Sequence, residues 1–252
     1  MKIAVAIKQV PLRDSPLRLN AAGTWIDEEH LNFEINEPDA YALEEALQLR
    51  EKHGGEVIVL SAGPARVAQT IREALAKGAD RGIHVESDLR GLDALGVGHL
   101  LATALRPEAP DLILTGLQSD DLGYGQTGVV LAEILGLPHS TIIMQVDAQA
   151  GRVRVKRELE DGWFQHIEIP LPAVLTIQSG LNKLRYATLM GIKKAKTKEI
   201  KVVSAAEIPQ ASAVIEKIYA PEKSKQAQIF EGDAKTAAAK LVEKLRFEAR
   251  VL

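Results

Sequence analysis

Leu112-Ile113-Leu114-Thr115-Gly116 runs directly into Leu117-Gln118-Ser119-Asp120-Asp121-Leu122-Gly123-Tyr124-Gly125-Gln126-Thr127-Gly128, and from there into Val129–Leu135. A short apolar run that ends on a turn residue reads as a strand buried on both faces. The segment after the loop reads as a helix stopped by Gly136. A buried strand, a glycine-rich loop and a helix in that order form half of a parallel β-α-β unit.

The same rhythm extends upstream. Residues 3–7 read as a buried strand, and 10–35, with Pro11, Pro16, Asn20 and Gly23, as a long loop with room for a short hairpin. A helix starts near Pro38 with Asn36 as its cap and Glu37 and Asp39 at its positive end, and His53-Gly54-Gly55 stops it. Val57–Leu60 and Ile83–Val85 read as strands, and Val67–Lys77 and 92–105 as helices. Downstream, 141–146, 152–159 and 163–169 alternate polar and apolar residues around turns at Ala150-Gly151 and Asp161-Gly162, which predicts an antiparallel meander. Residues 173–178 read as one more buried strand, 204–232 as a mixed polar tail and 233–250 as an amphipathic helix. The expected fold is α/β: a doubly wound, mostly parallel sheet with an antiparallel hairpin addition and a C-terminal helical arm.

Composition narrows the chemistry. The 252 residues contain no Cys, which excludes a thiol nucleophile, a disulfide framework and Cys-ligated clusters or zinc. A net charge of −3 gives no global bias toward nucleic acid or anionic lipid. No apolar run approaches the roughly 20 residues needed to span a bilayer, and the chain enters a strand from its first residues, so a cytoplasmic protein without membrane insertion is expected. The six His are scattered without ligand spacing, and no nucleophile elbow is present, so neither catalytic residues nor a metal site are expected.

Two regions stand out. Glycines at 116, 123, 125 and 128 let backbone approach a phosphate closely, and Gln126 and Thr127 add donors at a helix start. The spacing fits neither standard phosphate-binding fingerprint, and a flexible turn is the competing reading. Small residues at other strand ends, Ala6 and Ala62, leave room for a flat ring beside Gly116 and Asn36–Asp39, or simply allow tight turns. Asn36 taken alone reads as a helix cap. The second region, 181–201, carries seven Lys or Arg against one Glu, with an apolar Ala187-Thr188-Leu189-Met190 ahead of Lys193, Lys194, Lys196 and Lys198. An apolar anchor with a charged rim suits a protein partner. With Tyr186 as its one aromatic it does not suit nucleic acid, and a solvated basic helix is the plain alternative.

Several blocks together are similar to the beta subunit of electron-transfer flavoproteins: Val5–Pro11, Ile35-Asn36 with Ala42–Leu47, Ser61–Pro64, Ala74–His84, Gly116–Gly128, and Asn182 with Arg185-Tyr186-Ala187-Thr188-Leu189. The resemblance spans roughly residues 3–200 and implies a Rossmann-like, adenine-nucleotide-binding domain over 1–203 that includes a recognition loop at 181–201. The arm at 204–252 would embrace an alpha subunit. It further implies AMP held structurally by Ala6, Asn36, Glu37, Pro38, Asp39, Ala62, Gly116, Gln118, Asp121, Gly123, Gly125, Gln126 and Thr127. FAD would be held mainly by the alpha subunit. Tyr186, Ala187, Thr188, Leu189, Met190, Lys193 and Lys194 would dock acyl-CoA and other dehydrogenases, and electrons would leave to a quinone oxidoreductase. The chain departs from the family pattern where Glu37 separates Asn36 from Pro38, and where Leu12-Arg13-Asp14 offers no aromatic toward a flavin. Two alternatives stand beside this one. Some relatives carry a second FAD in place of AMP and bifurcate electrons. A stand-alone nucleotide sensor resembling universal stress proteins would share the sheet but need neither the basic loop nor the tail.

Overall fold

The first strand, β1 (Lys2–Ala6), buries Ile3 and Val5 on one side and Ala4 and Ala6 on the other, so its unbroken apolar run needs cover on both faces. The computed structural model describes residues 1–204, 210–221 and 227–252 and supplies that cover. After β1 come β2 (Gln9–Pro11), β3 (Phe33–Ile35), α1 (Glu37–His53), β4 (Glu56–Gly63), α2 (Val67–Lys77), β5 (Arg81–Glu86), α3 (Ala94–Leu105), β6 (Leu112–Gly116) and α4 (Thr127–Leu135). Then follow β7 (His139–Gln149), β8 (Arg152–Glu158), β9 (Phe164–Pro170), β10 (Ala173–Ile177), α5 (Leu189–Ala195), β11 (Ile200–Ser204) and α6 (Ala234–Phe247). Leu43 and Leu47 of α1 and Ile71 and Leu75 of α2 pack with Ile3, Val5, Val57 and Val59. Leu100 and Leu105 of α3 and Leu131 of α4 pack with Ala4, Ala6, Ile58 and Leu60 on the opposite face. Each such fully buried aliphatic side chain contributes about 1.5–3 kcal/mol. An ion pair such as Arg90–Asp88 lies in solvent, where screening and side-chain entropy offset its attraction, so the two apolar layers hold the fold.

Among the described residues the main sheet has nine strands, in the order β11-β5-β4-β1-β6-β10-β7-β8-β9. All pairs are parallel except β7 with β8 and β8 with β9. From β1 the chain adds β4 and β5 on one side, then crosses back to place β6 on the other, so the strand order reverses between β1 and β6. At the N-terminal ends of the strands Arg81 forks to Glu56 at 2.7 Å and Glu108 at 2.5 Å, and staples that end shut.

The doubly wound parallel sheet expected from the strand–helix alternation is present. The meander is not a separate layer, because β7 pairs in parallel with β10 and carries β8 and β9 as a continuation of the main sheet. The long 10–35 loop closes on a two-stranded antiparallel sheet of β2 and β3. The strand β11 lies partly inside the stretch expected to be a basic segment, and it adds a parallel edge strand beside β5. The described residues form two compact units, Met1–Lys217 and Ile218–Leu252, the latter holding α6. The parts of the expected polar tail at 205–209 and 222–226 lie outside the described residues.

Candidate functional site

Ala6, Ala62 and Gly116 sit at the carboxyl ends of β1, β4 and β6, three neighbouring strands at the point where the strand order reverses. Open α/β sheets form ligand crevices at this position. A cleft of about 820 Å³, solvent at its mouth included, opens there. Its lining includes Ala6, Asn36, Asp39, Ala62, Gly116, Gln118, Gly125, Gln126 and Thr127. An apolar wall of Leu89, Leu92, Val97 and Leu101, from α3 and the turn before it, completes it. No residue type in that wall distinguishes it from ordinary core, so the sequence gives no signal for its role.

Asp39 fixes the floor. Its Oδ2 accepts the Lys8 N–H and its Oδ1 the Gly116 N–H, each at 2.7 Å, so one carboxylate ties the ends of β1 and β6 together. Burial pushes this carboxyl up to about 7, against the downward pull of those two N–H groups, the Asn36 amide and the Lys8 charge. Gly116 is required by proximity: a Cβ there would lie 2.4 Å from Asp39 Oδ1 and 2.7 Å from Pro38 Cβ.

Asn36 occupies the N-cap position of α1, but its side chain makes no capping hydrogen bond, which corrects the reading of it as a simple cap. Its Nδ2 donates to the Gln118 carbonyl and its Oδ1 accepts the Asp120 N–H, both at 2.9 Å. The side chain thus sets the path of the glycine-rich loop. At the other end of that loop α4 begins at Thr127 with no side-chain cap from Gln126 and no acidic residue in its first turn. Its amides keep the partial positive charge that favours an anion.

Glu37, Pro38 and Gly123 lie outside the cleft lining, although the resemblance places them at the site. Glu37 is exposed. Asp121 lines a broader outer groove that continues the cleft, where its Oδ1 pairs with Lys8 Nζ at 2.6 Å. Asp93, not singled out by its sequence pattern, caps α3 through the Gly96 N–H and also accepts the Ser212 and Ala213 N–H groups at 2.7 and 3.2 Å. Among the described residues no cluster of three or more His, Asp or Glu is placed to hold a metal ion. None of the described helices is long and apolar enough to cross a membrane.

The second region forms a projecting tip. Tyr186 is 93% exposed and Leu189 82%, with Met190 and Ile192 also open to solvent. Ala187 is half-buried, and Thr188 caps α5 by accepting the Gly191 N–H at 3.0 Å. Lys193, Lys194 and Lys196 are exposed. Lys198 differs from them: its Nζ donates to the Leu75 and Ala79 carbonyls and closes the C-terminal end of α2.

The electron transfer flavoprotein domain model matches residues 24–208. The chain is 40% identical to the electron transfer flavoprotein subunit beta of Methylophilus methylotrophus, over 96% of this chain and 97% of that one. It is 36% identical to the mitochondrial subunit beta of Oryza sativa over the whole of both chains, and 39% identical to that of Sus scrofa over 82% and 83%. These names describe a subunit of a flavin-bearing electron carrier rather than an enzyme with a substrate of its own. With a matching domain over most of its length and end-to-end relatives at this identity, the chain belongs to the electron transfer flavoprotein family, as a beta subunit.

Proposed function

We propose that this chain binds AMP in the cleft and pairs with an alpha subunit that holds most of the FAD. Its tip docks acyl-CoA and other dehydrogenases, so that the flavin takes up electrons and delivers them to a quinone oxidoreductase. The site of action is the cytoplasm, and 204–252 serves as the arm that meets the alpha subunit.

The observation that carries the AMP reading is the pairing of an uncapped helix start at Gln126-Thr127 with an apolar wall at Leu89, Leu92 and Val97 across one cleft. A phosphate suits the first and a purine the second. Ala6 and Ala62 leave the space between them open, and Asp39 and Asn36 hold the floor and the loop at fixed separation. AMP brings no redox chemistry; it fills and stiffens the crevice. FAD, when bound, supplies the electron chemistry, and this chain's residues contribute position and exclusion of water.

The test is to purify the heterodimer, denature it and chromatograph the released nucleotides. Equal amounts of AMP and FAD are expected. Two FAD for each heterodimer with no AMP would support the bifurcating alternative instead. Failure of the tagged chain to retain a flavin-bearing partner would support the sensor.

A further inference from the structure

The docking tip is clamped at both ends. On its N-terminal side the Arg185 guanidinium reaches two carboxylates of α1. Nε and Nη2 meet Glu44 Oε2 and Oε1 at 2.8 and 3.0 Å, and Nη1 and Nη2 meet Glu51 Oε1 and Oε2 at 2.6 and 3.2 Å. The backbone N–H of Arg185 adds a bond to Glu44 Oε2 at 3.3 Å. Glu44 is 5% exposed; burial works to raise its carboxyl, but the hydrogen bonds from Arg185 and Gln48 outweigh it and hold it ionised. Asn182, just upstream, donates to the Tyr41 carbonyl and to Glu45. On the C-terminal side a Cβ on Gly191 would lie 2.3 Å from the Ala76 carbonyl, so α5 sits directly on the backbone of α2. Arg72 Nη1 donates to the Ala195 and Lys198 carbonyls beyond it. Between these anchors the side chains of Tyr186, Leu189 and Met190 are exposed, while their backbone is tied down on either side.

We propose that Arg185 is a positioning residue for partner docking: its fork onto Glu44 and Glu51 holds the 186–190 backbone in the docked shape before a dehydrogenase arrives. This rests on the reading of Leu189 as the docking anchor. Arg185 itself faces α1 and not the partner, so its effect passes through the tip. Pre-ordering of this kind removes an entropic cost from association and leaves electron transfer in the formed complex unchanged. A lysine in its place keeps the charge against Glu44 but cannot reach both carboxylates in one plane.

The experiment uses the FAD-loaded heterodimer reduced by an acyl-CoA dehydrogenase with its acyl-CoA, with Leu189→Ala, Arg185→Ala and Arg185→Lys made singly, and each Arg185 change also combined with Leu189→Ala. Amide hydrogen exchange over 186–192 is measured in parallel. Arg185→Ala is expected to speed that exchange and to raise KM for the dehydrogenase about tenfold with kcat unchanged. In the Leu189→Ala background the same change should add less than about twofold, because the anchor it positions is gone. If the alanine variant does not assemble, Arg185→Lys carries the test, with a smaller rise in KM and the same faster exchange. Unchanged exchange over 186–192 overturns the positioning role whatever the partner does. A normal KM for both Arg185 variants beside a raised KM for Leu189→Ala also overturns it, as do independent, multiplying effects. A normal KM for Leu189→Ala sinks the docking reading itself, and the proposal with it.

Discussion

The cleft gathers Ala6, Asn36, Asp39, Ala62, Gly116 and Thr127 from separate segments onto three strand ends, whereas the tip takes Tyr186, Leu189 and Met190 from one short stretch. In the cleft, small residues and backbone amides do the shaping, and side chains that carry charge face inward to fix the floor. At the tip, large apolar side chains face outward, and the charged side chains behind them hold the backbone. A concave site therefore depends on what is missing at Gly116 and the alanines, and a convex one on what projects at Leu189. Substitutions at the first should disturb folding and ligand together, and substitutions at the second should disturb association alone.

The sharpest break in that contrast is Gly116→Val. A branched side chain would meet Asp39 Oδ1 and Pro38 within 3 Å, so a loss of about 3 kcal/mol in stability is expected together with loss of bound nucleotide. Thermal unfolding and nucleotide content of the purified heterodimer measure both. Full nucleotide occupancy with an unchanged melting temperature would show that the floor is not fixed as described.

Asp39→Asn comes next. Asparagine turns an NH2 toward one of the two N–H groups that the carboxyl oxygens face, a cost of about 1–2 kcal/mol. The Asp39 carboxyl moves from an ordinary value of 3.8 to about 7 on folding. Between those values the folded chain keeps a proton that the unfolded chain has released. The group's contribution is therefore full below about pH 4 and is lost as pH rises through about 7. The stability gap between wild type and variant in urea should narrow from pH 5 to pH 8, and a gap constant with pH would contradict the assignment.

The smallest effects separate two lysines of the basic stretch. Lys198→Ala should cost about 1 kcal/mol, read by urea unfolding, because its ammonium closes the end of α2. Lys194→Ala should leave stability unchanged and weaken the dependence of dehydrogenase KM on salt, as expected for a rim charge. Equal effects from both would erase the distinction between clamp and rim.

The parallel sheet was legible because Ile3–Ile7, Val57–Leu60 and Leu112–Gly116 are buried on both faces and so read as unbroken apolar runs. The edge strand β11 was not. Its Lys201, Val202 and Ser204 are exposed, β5 is its one neighbour strand among the described residues, and the lysines before it dominate the local pattern. At the cleft, the glycines and small strand-end residues could be picked out because they are unusual where they stand. Leu89, Leu92 and Val97 look like any core residues until α3 is folded over the strand ends. Asparagine before a helix has a common local use as a cap, and the partners that the Asn36 side chain holds instead, Gln118 and Asp120, lie more than 80 positions away. Nothing in the local sequence separates Lys198, which closes a helix, from the lysines before it that lie in solvent.

Among the described residues the nine-stranded sheet ends on β11 and β9, and the strands that floor the cleft are interior to both. Opening from either margin must remove β11 on one side, or β9, β8 and β7 on the other, before it reaches β5 or β10, the outer neighbours of β4 and β6. Fraying of the margins therefore leaves the strand floor of the crevice intact, and that floor comes apart only when the opening reaches the centre of the sheet. A molecule bound there does little to quiet the margins. It lowers the frequency of complete opening, and so lengthens the lifetime of the fold as a whole.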